Sequence, residues 1–133
     1  MNEPRWVDLK VVLAVHDMQI AEHAGLPGIR DRGLLESALA RPRKLQAHRP
    51  DVTPWQMASA YACGISSNHP FTDGNKRTAL MAAYIFLHDN GWELNAPEIE
   101  TVLVFEQVAN NEFSEEELAD WFYKWCDEIP LEG

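Results

Sequence analysis

Between residues 69 and 77 the sequence reads His-Pro-Phe-Thr-Asp-Gly-Asn-Lys-Arg, which sets a proton acceptor, a carboxylate, a glycine and two cations almost side by side. His69 is the one side chain here able to accept a proton near neutral pH without special tuning. Asp73 can ligate Mg²⁺, an ion that takes one or two carboxylates together with phosphate oxygens. Gly74 removes the side chain that would block close approach of a phosphate oxygen. Lys76 and Arg77 fall in the first turn of the helix expected to follow, where the helix dipole favours an anion and disfavours cations. A local conflict of this kind points to function, and an incoming polyphosphate resolves it. Asn75 has two readings of equal standing, a donor to phosphate or a local cap of the helix. Phe71 reads as an apolar anchor for the loop. The rival account is an ordinary capped helix start, with Asp73 the N-cap, His69 a surface histidine and Lys76 and Arg77 a solvated pair. It leaves unexplained why so much chemistry stands in one short run.

The elements that must position this run read as helices nearly throughout. Val7, Val11, Val15, Met18 and then Glu22 recur at three- and four-residue steps, predicting an amphipathic helix from about Trp6 to His23 with that face inward. Gly25, Pro27 and Gly28 end it. A short helix carrying Leu34, Leu35, Ala38 and Leu39 is expected to stop before Pro42. Thr53-Pro54-Trp55-Gln56 offers a hydroxyl cap, a proline at the first helical position and a reciprocal cap three residues on. Asn95-Ala96-Pro97-Glu98 and Ser114-Glu115-Glu116-Glu117 repeat the scheme. The helix from Pro54 to about Ser67 leads into the polar run and a helix through Tyr84 leads out, with Asn90-Gly91 as its stop. Leu118, Trp121, Phe122, Trp125 and Ile129 lie on one side of the last helix and read as a core seam. No run shows sustained strand alternation. The expected architecture is all-α, a compact single-domain helical bundle over residues 1–133.

Composition narrows the function classes. A formal net charge of -10 argues against nucleic acid and anionic membranes as partners. Within that balance, Arg30, Arg32, Arg41, Arg43, Lys44, His48 and Arg49 form a basic middle against an acidic tail, either an intramolecular arrangement or a docking surface. Cys63 and Cys126 sit in apolar helical patterns and read as buried thiols, with neither metal-type nor disulfide spacing. With no basic leader and no run of membrane-spanning length, the expectation is a soluble protein of a reducing, cytoplasmic compartment. His16, His23, His48 and His88 show no His-Glu-x-x-His arrangement and read as ordinary surface or capping histidines.

His69 to Arg77 closely resembles the signature of the Fic/Doc superfamily, His-x-Phe-x-Asp/Glu-Gly/Ala-Asn-x-x-Arg, or with Lys-Arg following the Asn. Upstream, Gly28-Ile-Arg-Asp-Arg-Gly-Leu-Leu-Glu-Ser-Ala-Leu39 is similar to the corresponding segment of Doc (death on curing) proteins, and the likeness runs from about His16 to Gly91. The resemblance implies a helical bundle in which His69 deprotonates a hydroxyl on a target protein. It implies that Asp73 holds Mg²⁺ against the phosphates of ATP, that the Gly74-Asn75 backbone forms an anion hole, and that Arg77 contacts phosphate. Fic adenylyltransferases usually have glycine where Lys76 stands and a second arginine where Leu80 stands. Lysine fills the space an α-phosphate needs and supplies a point charge suited to a terminal phosphate. In Doc-like proteins this change goes with γ-phosphoryl transfer, so the resemblance implies a kinase. The implied target is a threonine of elongation factor Tu, with blocked translation and growth arrest as the result. Gly74, where some Doc sequences have alanine, keeps adenylylation as the alternative, and a non-catalytic relative kept for antitoxin binding is a third.

Many Fic proteins restrain themselves with a Ser/Thr-x-x-x-Glu helix. Ser37 to Arg41 and Ser114 to Leu118 both lack the glutamate at the needed place. Restraint is then expected from another chain of a toxin–antitoxin system, an antitoxin that folds a disordered tail onto an apolar groove. Trp6, Trp55 and Trp92 could line such a groove or be packed in the core.

Overall fold

In the computed structural model, which describes residues 3–130, two of the three expected helix starts close as reciprocal caps. The Thr53 hydroxyl accepts from the Gln56 amide while the Gln56 side chain accepts from the Thr53 N–H, opening α3, Pro54–Asn68. Ser114 and Glu117 do the same for α6, Glu115–Trp125. The third cap does not form. Helix α5, Glu98–Ala109, starts after Pro97 with no side-chain cap. Asn95 is held elsewhere, its side chain donating to Asp127 Oδ2 at 2.9 Å and its N–H to the Trp125 carbonyl at 2.9 Å. Those partners belong to a small ribbon missing from the sequence reading. β1, Trp92–Leu94, runs antiparallel to β2, Cys126–Glu128, with Glu93 opposite Asp127. Strands this short cannot display an alternating pattern. Cys126 therefore opens a strand, not a helical turn.

The remaining helices are α1, Leu9–His23, α2, Arg32–His48, and α4, Asn75–Asp89. The architecture is all-α, as expected. α3 is its centre, buried from Met57 through Ala62 and again at Gly64, Ile65 and Ser66, with α2, α4 and α6 packed around it. Such all-round burial is what a central helix requires. A Cβ at Gly64 would stand 3.3 Å from the Ala38 backbone, so the glycine lets α2 and α3 approach closely. That contact bears on Pro42. The expected stop does not occur, and α2 runs on through the proline to His48. Leu35, Ala38 and Pro42 are buried on one face and Leu45 beyond the proline packs against the core, and that docking offsets a cost of about 3 kcal/mol.

On α6, Leu118, Trp121 and Phe122 are buried and form the expected seam, although Ile129 lies beyond the helix, after β2. On α1 the inward face is not the expected one. Val12 and His16 are buried, whereas Val11 is 40% exposed and Met18 68%. The helix also begins later, after Asp8, whose carboxylate accepts from the Lys10 amide. Apolar residues stand on every side of this helix, so spacing alone does not select a face. Arg41 in the basic middle pairs with Glu115 at 2.7 Å, and Arg43 lies over the Trp6 ring at 5.3 Å. The basic stretch is thus partly an intramolecular arrangement. Among the described residues no helix is long and apolar enough to cross a membrane.

Candidate active site

His69 terminates α3 in the left-handed conformation, φ 48° and ψ 55°. For a residue with a Cβ that backbone costs roughly 1–2 kcal/mol, and the surroundings hold it in place. Arg30 donates through Nε to the His69 carbonyl at 2.6 Å and through Nη2 to the Asn68 carbonyl at 2.8 Å. These are the last carbonyls of α3, where a cation is favoured by the helix dipole. Chain from the α1–α2 connection lies along the whole loop. The Thr72 N–H donates to Gly28, and the Arg30 and Asp31 N–H groups both donate to the Pro70 carbonyl. The side chain of His69 is exposed.

Asn75 decides how the loop turns into α4. Its Oδ1 accepts from the Phe71 N–H at 3.0 Å and its Nδ2 donates to the Phe71 carbonyl at 2.9 Å. The side chain does not cap α4; it is buried and ties the loop at Phe71, and what it can offer a ligand is its backbone N–H. The same Nδ2 lies 3.4 Å from His69 Nδ1. Because Phe71 fixes the amide's orientation, that contact suits an unprotonated Nδ1. A base acting through Nε2 needs the other tautomer, so the long contact must open when Nε2 works.

Phe71 is buried, the anchor expected of it. Its ring stacks on His16 with centroids 3.8 Å apart and planes 9° from parallel. His16 is not a surface histidine. It is 2% exposed, and its Nε2 donates to the Asp73 carbonyl at 2.8 Å. The Asp73 carboxylate is exposed, accepting from the Leu26 N–H at 3.2 Å and the Gly74 N–H at 2.8 Å. Those two backbone donors, helped by the charge of Arg77 and by His16, hold its pKa below the usual carboxylate value. It is ionised at neutral pH. A Cβ at Gly25 would stand 2.9 Å from Asp73 Oδ2, so that glycine is needed for the close approach.

Asp73 is not the N-cap. Gly74 occupies that position at φ 76°, and no side chain caps α4. The helix starts with Thr78 donating to the Gly74 carbonyl, which leaves the N–H groups of the first turn without a side-chain acceptor. That turn holds Lys76 and Arg77 and no acid. Both are exposed, and Lys76 Nζ is 3.9 Å from Glu106 Oε1, a loose pair in solvent. Arg77 stands on the rim of a cleft of about 500 Å³ between α1, α4 and α5, lined by Leu80, Tyr84, Leu94 and Val102 among others.

His69, Asp73, Gly74, Asn75, Lys76 and Arg77 thus occupy one loop and one helical turn. No group of three or more His, Cys, Asp or Glu side chains able to hold a metal occurs among the described residues. Asp73 alone fits the chemistry of Mg²⁺, whose other ligands are commonly phosphate oxygens and water. The sequence reading missed His16 and Arg30. The one signal for His16 was its place four residues after Val12 and four before Ile20.

A sequence model of the Fic/DOC family matches residues 6–87, and the chain belongs to that family. It is 32% identical over 117 residues to the protein kinase doc of Escherichia phage P1, covering 87% of this chain and 91% of that one. It is 46% identical over 70 residues to the toxin Doc of Mycolicibacterium smegmatis, a match spanning 51% of this chain and 53% of that one.

Proposed function

We propose that the chain is the toxin of a toxin–antitoxin pair, an ATP- and Mg²⁺-dependent kinase that transfers the γ-phosphoryl group to a hydroxyl of a cytoplasmic protein. The observation that carries this reading is the start of α4, with open backbone N–H groups and with Lys76 and Arg77 where a cap and acids would ordinarily stand. The names of the two relatives, a protein kinase doc and a toxin Doc, support it.

In this reading the first-turn N–H groups and Arg77 bind the phosphates. Lys76, where adenylyltransferases of the family have glycine, places a point charge on the terminal phosphate. Leu80 supplies no second arginine. Asp73, ionised and exposed, would hold Mg²⁺, which supplies charge neutralisation on the phosphate oxygens. His69 takes the proton of the target hydroxyl as that oxygen bonds to the γ-phosphorus. The bond from phosphorus to the bridging oxygen breaks, and ADP leaves. The target implied by the family is a threonine of elongation factor Tu, whose modification would block translation.

Restraint by an antitoxin has a surface to act on. Ile99, Val102 and Leu103 of α5 are 78%, 53% and 55% exposed beside the cleft that Arg77 borders, a surface suited to an apolar tail that folds on binding. The tryptophans stand elsewhere and are half-buried: Trp6 stacks on Phe86 and Trp55 sits edge-on to Trp92, and Trp6 and Trp55 each border a separate cleft.

The test is to incubate the protein with purified elongation factor Tu or bacterial lysate and ATP labelled on the α- or the γ-phosphate. Label passing to protein from the γ position alone is expected. Transfer from the α position makes the chain an adenylyltransferase. Growth arrest that survives both His69→Ala and Asp73→Ala makes it a non-catalytic binding protein.

A further inference from the structure

We infer that His16 is a positioning residue which locks the Asp73–Gly74 peptide in one orientation and, through it, the Asp73 carboxylate. The inference deepens the proposed function and rests on it for its catalytic consequence, though not for its structural content.

This peptide unit is gripped at both ends. Its carbonyl accepts from His16 Nε2 at 2.8 Å, and its N–H donates to the Asp73 carboxylate at 2.8 Å. A carbonyl oxygen accepts hydrogen bonds only, so Nε2 must carry a proton, while Nδ1 lies 4.0 Å from Asp17 Oδ1 at the other edge of the ring. The ring has little freedom to supply anything else. It is buried, and it lies flat on Phe71 at 3.8 Å. Phe71 is in turn tied to Asn75 through both its N–H and its carbonyl. The imidazole edge also underlies Gly74, whose added Cβ would be 3.6 Å from His16 Cδ2 and Nε2.

The lock matters because of the residue it acts on. Gly74, at φ 76°, is the residue type that crosses most readily between backbone regions. A peptide preceding such a glycine can flip. A flip would carry the Asp73 carbonyl off His16 and the Gly74 N–H off the carboxylate in one motion. It would exchange an N–H for a carbonyl dipole at the threshold of an anion-binding helix start, and it would free the carboxylate to rotate. His16 opposes that motion by supplying a fixed donor to the carbonyl. It touches neither substrate nor metal in this account. Its action on transfer passes through Asp73.

Two substitutions separate the donor from the ring. His16→Phe keeps a ring against Phe71 and loses the donor; His16→Gln loses the ring and keeps an amide donor near the place of Nε2. The first readout needs no activity: amide hydrogen exchange at Gly74 in the protein without nucleotide. Exchange there should be roughly 10–100-fold faster in His16→Phe and near the wild-type rate in His16→Gln. The second readout is γ-phosphoryl transfer. The expected loss in His16→Phe is roughly 10–100-fold in kcat with a matching rise in the Mg²⁺ needed for half-maximal rate, the usual effect of removing a residue that orients a ligand. KM for ATP should stay close to wild type, and His16→Gln should regain most of kcat. Should His16→Phe fail to fold, nitrogen NMR of the wild-type imidazole decides, since the lock requires a proton on Nε2. Equal Gly74 protection in all three proteins, equal damage from both substitutions, or an Nδ1–H tautomer overturns the inference. Absence of any transfer refutes the kinase reading, while the exchange and NMR results still judge the lock.

Discussion

α3 and α6 begin on hydroxyl side chains, Thr53 and Ser114, each answered by a side chain three residues on that returns to the cap. α4 begins on Gly74 in the left-handed region, uncapped, and follows with Lys76 and Arg77. All three helices face the same difficulty, a first turn of N–H groups with no partner within the helix. At α3 and α6 local sequence settles it, and the gain is stability. At α4 the groups stay open in a loop otherwise held tightly by Asn75, His16, Arg30 and the chain around Gly28. In the function we propose, a start left open inside so rigid a frame is where the anion binds.

Substitutions at the two kinds of start should therefore separate activity from stability. The largest effect belongs to His69→Ala, which removes the proposed proton acceptor and should lower γ-phosphoryl transfer by roughly 10²–10⁴-fold with little change in melting temperature. Arg30→Met falls between the two classes. It takes away a charged donor from the His69 and Asn68 carbonyls, and hydrogen bonds of that kind are each worth about 1.5–3 kcal/mol at most. Denaturant unfolding should show a loss within that range, and kcat should fall because His69 is freed from its left-handed backbone. Thr53→Ala breaks a capping box and should cost about 1 kcal/mol in the same unfolding experiment, leaving transfer by the folded protein unchanged. A fall in transfer with Thr53→Ala, or intact transfer with His69→Ala, would erase the distinction between the starts.

The smallest effect is on pH dependence. Asp73 is held below its ordinary value of 3.8 by the Leu26 and Gly74 N–H groups. A carboxylate with a depressed folded-state pKa adds stability above its unfolded value, and that stability is lost as pH falls through the folded one. Melting curves of wild type and Asp73→Asn should therefore differ near neutrality and converge in acid, below the ordinary carboxylate value. A gap that stays constant down through that range would contradict the hydrogen bonds described for Asp73.

What could be read from the sequence was local. A capping box closes over four residues, and the run from His69 to Arg77 carries its chemistry in one loop and the helical turn after it, so both were legible. The residues that hold the loop were not. His16 meets the Asp73 carbonyl 57 positions away, and Arg30 meets the His69 carbonyl 39 away. No local pattern marks such a pairing. α1 carries apolar residues on all sides, so its periodicity could not say that His16, and not Val11 or Met18, faces inward. Pro42 ends a helix when only the backbone is weighed, but it is itself buried, Leu45 beyond it packs against the core, and α2 continues. Asn95 has the look of a cap, but the ribbon takes its side chain.

The claim that α4 is left open for phosphate is tested most directly by following backbone amide signals by NMR as Mg²⁺ and ATP are added. The amides of Asn75, Lys76 and Arg77 should move with saturation, while those of Gln56 and Glu117, already held by Thr53 and Ser114, stay where they are. Saturable binding of ATP that leaves the three α4 amides unmoved would contradict it.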